Sequence, residues 1–285
     1  MMKITCIVDN QVLEGAEMRR EHGLSFWIET DGGCVLFDTG QTAEVLSHNL
    51  KLLNISPKQV KLLALSHAHY DHTGGLNVIL ENKNHPTIFS VLDLFTPRYK
   101  LGKNDEEQFI GIEFSREGLS EMAELRLSDQ PAEILPGLWT TGMIANRTEP
   151  QGINKNHFIF SQGRRIPDPY LDDMSLVRQT NSGLILICGC CHAGLLNTID
   201  HVKQNFSAPI RAIIGGIHLK PADDATIDYV IRKLKIVAPD TVYYLNHCTG
   251  DNAFDKFTNA FPGQVLRFPA GMSLDFNENV KLTSK

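Results

Sequence analysis

Short apolar runs alternate with amphipathic stretches along most of the chain, and the spacing of apolar positions switches between two residues and three to four. Residues 4–8, 24–29 and 34–37 are rich in β-branched and aromatic side chains and are divided by turn formers such as Asp31-Gly32-Gly33, which predicts consecutive strands. Over 42–53, Val45, Leu46, Asn49, Leu50 and Leu53 fall at helical spacing. Residues 60–65 read as a buried strand, 76–80 as part of a helix and 87–91 as a further strand. From about 96 to 131 the rhythm breaks, with the charge run Lys103-Asn104-Asp105-Glu106-Glu107 and a mixed amphipathic stretch at 115–126. That segment reads as a solvated surface insertion or, more sharply, as a lid or substrate-selecting insertion over a site. Regular alternation then returns: strand at 184–188, helix at 195–206, strand at 210–214, helix at 222–237, strand at 242–245 and helix at 252–261. A meander followed by alternating strands and helices predicts an α/β layered domain. There is no fixed-period repeat and no composition shift that marks a linker, so residues 1–285 are read as a single domain.

Composition narrows the functional classes. The 285 residues are 42% hydrophobic and 21% charged with a formal net charge of −6, which argues against a dedicated nucleic-acid binder or a polybasic membrane binder. Apolar runs fall short of the roughly 18 residues that a membrane span needs. The opening Met1-Met2-Lys3-Ile4-Thr5-Cys6-Ile7-Val8 goes directly into a strand pattern rather than a signal-peptide core. Cys6, Cys34, Cys188, Cys190, Cys191 and Cys248 show no paired Cys-x-x-Cys spacing and are expected to be free thiols of a cytoplasmic protein.

The chemistry concentrates in Leu65-Ser66-His67-Ala68-His69-Tyr70-Asp71-His72-Thr73-Gly74-Gly75. His67 and His69 are two residues apart, so in extended backbone both imidazoles point to one side. Asp71 and His72 then fall where the loop enters a helix, a place that favours a carboxylate. Four metal-competent side chains in six residues suit two neighbouring cations, and imidazole with carboxylate suits zinc, iron or manganese rather than copper(I).

His67-Ala68-His69-Tyr70-Asp71-His72 resembles the His-x-His-x-Asp-His motif of the metallo-β-lactamase superfamily, and Leu36-Phe37-Asp38-Thr39-Gly40 resembles that superfamily's first motif. Four further segments are similar to one branch: Glu21-His22-Gly23-Leu24-Ser25-Phe26, Gly189-Cys190-Cys191-His192-Ala193-Gly194, Gly215-Gly216-Ile217-His218-Leu219 and Asn246-His247-Cys248-Thr249-Gly250. The branch is labelled after a dihydropterin-ribofuranosylaminobenzene-phosphate synthase. The resemblance covers roughly residues 3 to 275. It implies a four-layer αββα sandwich with a dinuclear site where strand-end loops converge. His67 and His69 would hold one metal, Asp71 and His72 the other, with His247 completing the second and His192 also a ligand. The aspartate that bridges both metals in many relatives has no counterpart after the 184–188 strand; Cys190, Cys191 or Glu149 could replace it. Asp38, Asp71 and His218 are the residues implied in the chemistry, Asp38 by orienting a ligand or bound water and His218 as general acid. His22, His48, His85, His157 and His201 lack such context and are read as surface or structural, with His22 a partial exception through its place in a branch segment.

Two cations about 3.5–4 Å apart can hold a hydroxide and clamp phosphoryl or acyl oxygens. The resemblance therefore implies a dinuclear-metal-dependent hydrolase acting on a phosphate or related ester of a small molecule through a metal-bound hydroxide. Zinc is the expected metal, with iron or manganese as alternatives. The branch label implies a second activity: a transferase joining a dihydropterin diphosphate to a ribofuranosylaminobenzene phosphate. A phosphorylated small molecule is the expected partner, rather than nucleic acid or membrane. A metal-binding sensor or redox protein is a weaker third reading, because no flavin motif accompanies the histidine-rich ligand set.

Overall fold

The computed structural model describes residues 1–81, 84–276 and 283–284. Two large sheets form the centre. The first runs, in spatial order, Thr283–Ser284, Ser273–Phe276, Met2–Val8, Ser25–Thr30, Gly33–Phe37, Leu62–Ala64, Thr87–Ser90 and Glu124–Leu127. The second runs Val265–Arg267, Val242–Leu245, Ile210–Gly215, Gly183–Cys188, Ser175–Thr180, Leu138–Thr140 and Ala132–Leu135.

The period-two pattern explains the layers. In Gly183–Cys188, Ile185 and Ile187 join a core shared with Ile4, Phe26, Ile28 and Phe37 of the other sheet. Leu184, Leu186 and Cys188, the alternate residues, face the helices Leu195–Asn205 and Asp224–Val237 through Ile199, Val202, Ile227 and Leu234. On the opposite outer face, Leu36, Leu63 and Ile88 pack on Leu46 and Leu50 of the helix Ala43–Leu52 and on Leu76 and Ile79. Both sheets are therefore covered on the outside by helices and on the inside by each other, which is the αββα sandwich. Among the described residues, no helix is long and apolar enough to cross a membrane.

The stretch 96–131 is not one insertion. Its second half rejoins the main body: Arg116–Met122 is a helix capped by Ser115, and Glu124–Leu127 pairs in parallel with Thr87–Ser90 at the edge of the first sheet. Only Leu125 and Leu127 turn towards the core, so the strand carries too little apolar signal to stand out from a solvated loop. The first half, with Arg98–Leu101 and Glu107–Phe109, forms a separate four-stranded sheet with His157–Ser161 and Arg164–Pro167. Tyr99, Phe109, Phe158 and Phe160 form a cluster of rings on it, with Phe109 and Phe160 half exposed. The small sheet brings Lys100 and His157 over the loop that carries the histidine motif.

Candidate metal centre

The centre is assembled at the ends of the central strands. Leu62–Ala64 delivers the chain to Ser66, and Asp38 ends the neighbouring strand Gly33–Phe37 with a left-handed φ of 58°. Asp38 accepts from Ser66 N at 2.7 Å, from Ser66 Oγ at 2.7 Å and from His72 Nδ1 at 2.7 Å. The third of these contacts shows what Asp38 does: it orients the His72 ring. Gly189 lets the loop after Gly183–Cys188 lie against this group, since a Cβ there would collide with Ser66 Oγ and crowd the Asp38 carboxylate. Replacing Asp38 with asparagine is expected to leave the fold intact and to weaken metal binding roughly 10- to 100-fold, as loss of a ligand-orienting carboxylate does. Competition with a chelator of known affinity checks this, and unchanged affinity would contradict it.

Two groups of donors face each other across one cleft. In the first, the donor atoms of His67, His69 and His192 lie within 4.8 Å of one another. Ser66 Oγ donates to Asp38 and so accepts from His67 Nδ1 at 2.8 Å, which turns the lone pair of His67 Nε2 towards the other donors, 3.2 Å from His69 Nδ1. His192 Nδ1 donates to Gly152 O at 2.9 Å, which does the same for His192 Nε2. His192 Nε2 and His69 Nε2 are buried with no hydrogen-bond partner among the described residues. Burial, reinforced by the neighbouring rings, pushes His67 and His192 well below the usual imidazole range, so they are neutral, the form that binds metal. Burial does the same to His69 despite Asp71.

In the second group, His72 Nε2 and His247 Nε2 are 3.2 Å apart, with Asp71 Oδ2 at 3.7 and 3.4 Å from them. Each ring spends its Nδ1 hydrogen elsewhere, His72 on Asp38 and His247 on Asn10 Oδ1 at 3.0 Å. Two lone pairs and a carboxylate oxygen aimed at one point require a proton or a cation between them. The residues therefore fit metal ions in both groups. Burial pulls His72 down, but Asp38 and Asp71 outweigh it and push it up to about 9. A cation arriving at this group must displace that proton, so affinity is expected to rise with pH, by roughly tenfold per unit from this residue below its pKa. Calorimetry in buffers of different ionisation enthalpy should show about one proton released at neutral pH; zero would contradict the assignment.

Between the groups lies Cys190, whose Sγ is 3.3 Å from His72 Nε2. Of Cys190, Cys191 and Glu149, it is the one whose side chain lies against the histidines. Cys191 Sγ points instead to Thr198 Oγ1 at 3.3 Å, in the core beneath the helix Leu195–Asn205. The Glu149 carboxylate is bound by Tyr229 Oη at 2.6 Å and Lys233 Nζ at 2.8 Å, away from the histidines. His218 lines the cleft with its ring centroid 4.1 Å from that of His192 and its Nδ1 unpartnered.

Three further residues reach the site. Tyr170 stacks on His192, centroids 4.1 Å apart, and its hydroxyl meets His157 Nδ1 at 2.9 Å. His157, read as structural from sequence, faces His69 edge-on at 5.2 Å and is pulled down to about 4, chiefly by burial. His22 Nε2 lies 3.2 Å from Asp71 Oδ2, and its ring stacks on His247; its place in a branch segment was the one available hint. Beneath the cleft, the fully buried Arg98 contacts Asp93, Asp168 and Asp172, and Asp172 accepts from Ala68 N at 2.7 Å. Asp173 accepts from Ala193 N at 2.8 Å. These acids fix the loops on either side of the histidines rather than binding in the cleft. The cleft has a volume of about 460 Å³ and is rimmed by Lys100 and Lys220.

A sandwich of this topology carrying histidines and an aspartate at the strand ends has the architecture of the metallo-β-lactamase superfamily, whose family model matches residues 18–150. The chain belongs to that superfamily. It is 32% identical, over 96% of its length and 97% of the relative's, to a 7,8-dihydropterin-6-methyl-4-(β-D-ribofuranosyl)-aminobenzene-5'-phosphate synthase of Methanocaldococcus jannaschii. An uncharacterised protein of the same organism is 30% identical over 90% of this chain and 94% of its own. Among solved structures, a metal-dependent hydrolase of the β-lactamase superfamily superposes with a TM-score of 0.82 at 26% identity, covering 96% of this chain and 99% of that one.

Proposed function

We propose that the protein is a dinuclear-metal-dependent hydrolase of a phosphate or related ester of a small molecule, with zinc, or alternatively iron or manganese, as the metal. The observation that carries this reading is the pair of donor groups, His67/His69/His192 and Asp71/His72/His247, opening into one cleft. When bound, two divalent cations supply a nucleophile that is ionised at neutral pH and a clamp for phosphoryl oxygens. The chain's own residues do the rest. Asp38 holds His72 in register, and Lys100 and Lys220 at the rim favour an anionic substrate. His218, beside His192 and facing the cleft, is placed to deliver a proton to a leaving oxygen. The small sheet with Lys100 and His157 acts as the substrate-selecting cover. The substrate is a soluble small molecule, and the protein acts in the cytoplasm.

A second reading, condensation of a dihydropterin diphosphate with a ribofuranosylaminobenzene phosphate, in which the whole pterinylmethyl group is transferred and diphosphate leaves, is supported by the full-length similarity to the synthase. The two readings separate in one reaction. Metal-loaded protein is given hydroxymethyldihydropterin diphosphate with and without the arylamine phosphate, and products are read by mass spectrometry. Phosphate release independent of the arylamine supports hydrolysis. A coupled product that requires the arylamine supports transfer and overturns the hydrolase reading.

A further inference from the structure

Behind His247 lies a second cavity, of about 260 Å³, that shares Lys220 and His247 with the metal cleft. The first turn of the helix Asp251–Ala260 opens into it. That helix has no side-chain cap: it starts at Gly250, with φ of 80°, so its leading N–H groups point outward unsatisfied. Gly250 is required there because a Cβ would press on the backbone of Lys220, which is itself tied down by Lys220 N donating to Cys248 O at 3.1 Å. The close packing thus fixes a lysine beside the positive end of a helix.

An independent observation points to a ligand. Thr249 lines the cavity, is 2% exposed, and its Oγ1 has no hydrogen-bond partner among the described residues. Asn246, 8% exposed, also lines it with Oδ1 unpartnered while its Nδ2 donates to Phe268 O. A buried hydroxyl without a partner is costly unless something brings one. The charges select the sign of that partner. Arg20 and Lys220 line the cavity with no carboxylate partner among the described residues. The acids that line it are already engaged: Asp9 accepts from Gln11 N at 2.9 Å and His247 N at 2.8 Å, and Asp251 pairs with Arg267, also in the cavity wall, at 2.9 Å. Unsatisfied helix N–H groups, a free hydroxyl and a lining in which the cations Arg20, Lys220 and Arg267 outnumber the carboxylates Asp9 and Asp251 are what a phosphate group needs.

We infer that this cavity is a second phosphate subsite, which takes the far phosphate of a substrate whose reacting phosphoryl group sits in the metal cleft. The substrate class is then a small molecule carrying two separated phosphoryl groups. This rests on the hydrolase or transferase reading for the cleft itself, but the subsite can be read without it.

The test follows backbone amides of Asn252 and Ala253 by NMR in metal-loaded, isotope-labelled protein titrated first with inorganic phosphate. Saturable shifts of both amides are expected, weakened at least about fivefold in Arg20→Gln and in Thr249→Val, the loss of one charged hydrogen bond or one hydroxyl partner each. A series of linear alkanediol bisphosphates of increasing length is then compared with an alkyl monophosphate. One length should bind about 100-fold more tightly than the monophosphate, by the effective-concentration gain of bridging two sites. The gain should vanish in Arg20→Gln, and in His69→Ala it should vanish while the amide shifts persist. Absence of phosphate-dependent shifts at Asn252 and Ala253 would overturn the subsite, whatever the metal cleft does. Phosphate binding at those amides with no bisphosphate of any length favoured would overturn its link to the substrate. If the amides shift but the wild type holds no metal, the cleft reading fails and the anion site stands.

Discussion

Replacing His69 with alanine is expected to remove bound metal from the first donor group and to lower kcat/KM by at least about a thousandfold, the scale on which an essential catalytic element acts. His69 contributes to the group with His67 and His192, and its Nε2 is buried with no hydrogen-bond partner among the described residues. A neutral imidazole held in that state has little structural work to do, so its loss should cost function far more than fold. The variant should unfold within about 1 to 2 kcal/mol of the wild type, in the ordinary range of a single substitution. Elemental analysis with steady-state kinetics on the same preparation checks the coupling. Full activity with unchanged metal content would remove His69 from the centre.

The second large effect is on stability. Arg98 is fully buried and contacts Asp93, Asp168 and Asp172, the last at 2.9 Å. Arg98→Ala leaves buried carboxylates uncompensated, and breaking a buried charge network from one side costs about 3–5 kcal/mol. The loss also propagates to the site, because Asp172 holds Ala68 N beside His67, and the Asp168 carboxylate accepts from Tyr170 N at 2.7 Å, whose ring stacks on His192. The deficit should depend on pH with a definite sign. Burial pushes Asp172 up to about 7 even with Arg98 opposing it. A buried acid with a raised pKa binds a proton in the folded state over a range where the unfolded chain has lost it. Its stabilising contribution is complete below the unfolded value and lost as pH rises through the folded one. Removing Arg98 raises that carboxyl further, so the variant should lose stability relative to the wild type between pH 5 and pH 8. Adding Asp172→Asn should recover part of it. Urea unfolding at the two pH values reads both effects. A deficit below about 1 kcal/mol at pH 8 would show that the network is not held by Arg98.

How far the sequence could be read depended on whether the signal was local. Val242–Leu245 occurs with the bounds that its apolar spacing predicts, and residues 76–80, read as part of a helix, are the whole of the helix Leu76–Leu80. Thr42, at the start of the first helical pattern, is the residue whose side chain caps Ala43–Leu52 by accepting from Val45 N. His67, His69, Asp71 and His72 were legible because they are nearly contiguous and follow a buried strand. His157 was not, because it comes from a strand of the small sheet, paired with Arg98–Leu101 on one side and the exposed Arg164–Pro167 on the other, far in sequence from the histidine motif. Its link to the site runs through Tyr170 and the face of His69. Arg98 was invisible for a related reason: its three acids lie at 93, 168 and 172, and only folding brings them to one guanidinium. The boundary of the insertion failed where Glu124–Leu127 shows one apolar face to the core and two glutamate or arginine side chains to solvent.

Anomalous diffraction from crystals of the protein, collected at the absorption edges of zinc, iron and manganese, tests the central claim most directly. Two peaks are expected, one among His67, His69 and His192 and one among Asp71, His72 and His247, with Cys190 beside the second. A single peak, or none at either group in protein prepared with metal present, would contradict a dinuclear centre and the hydrolytic chemistry built on it.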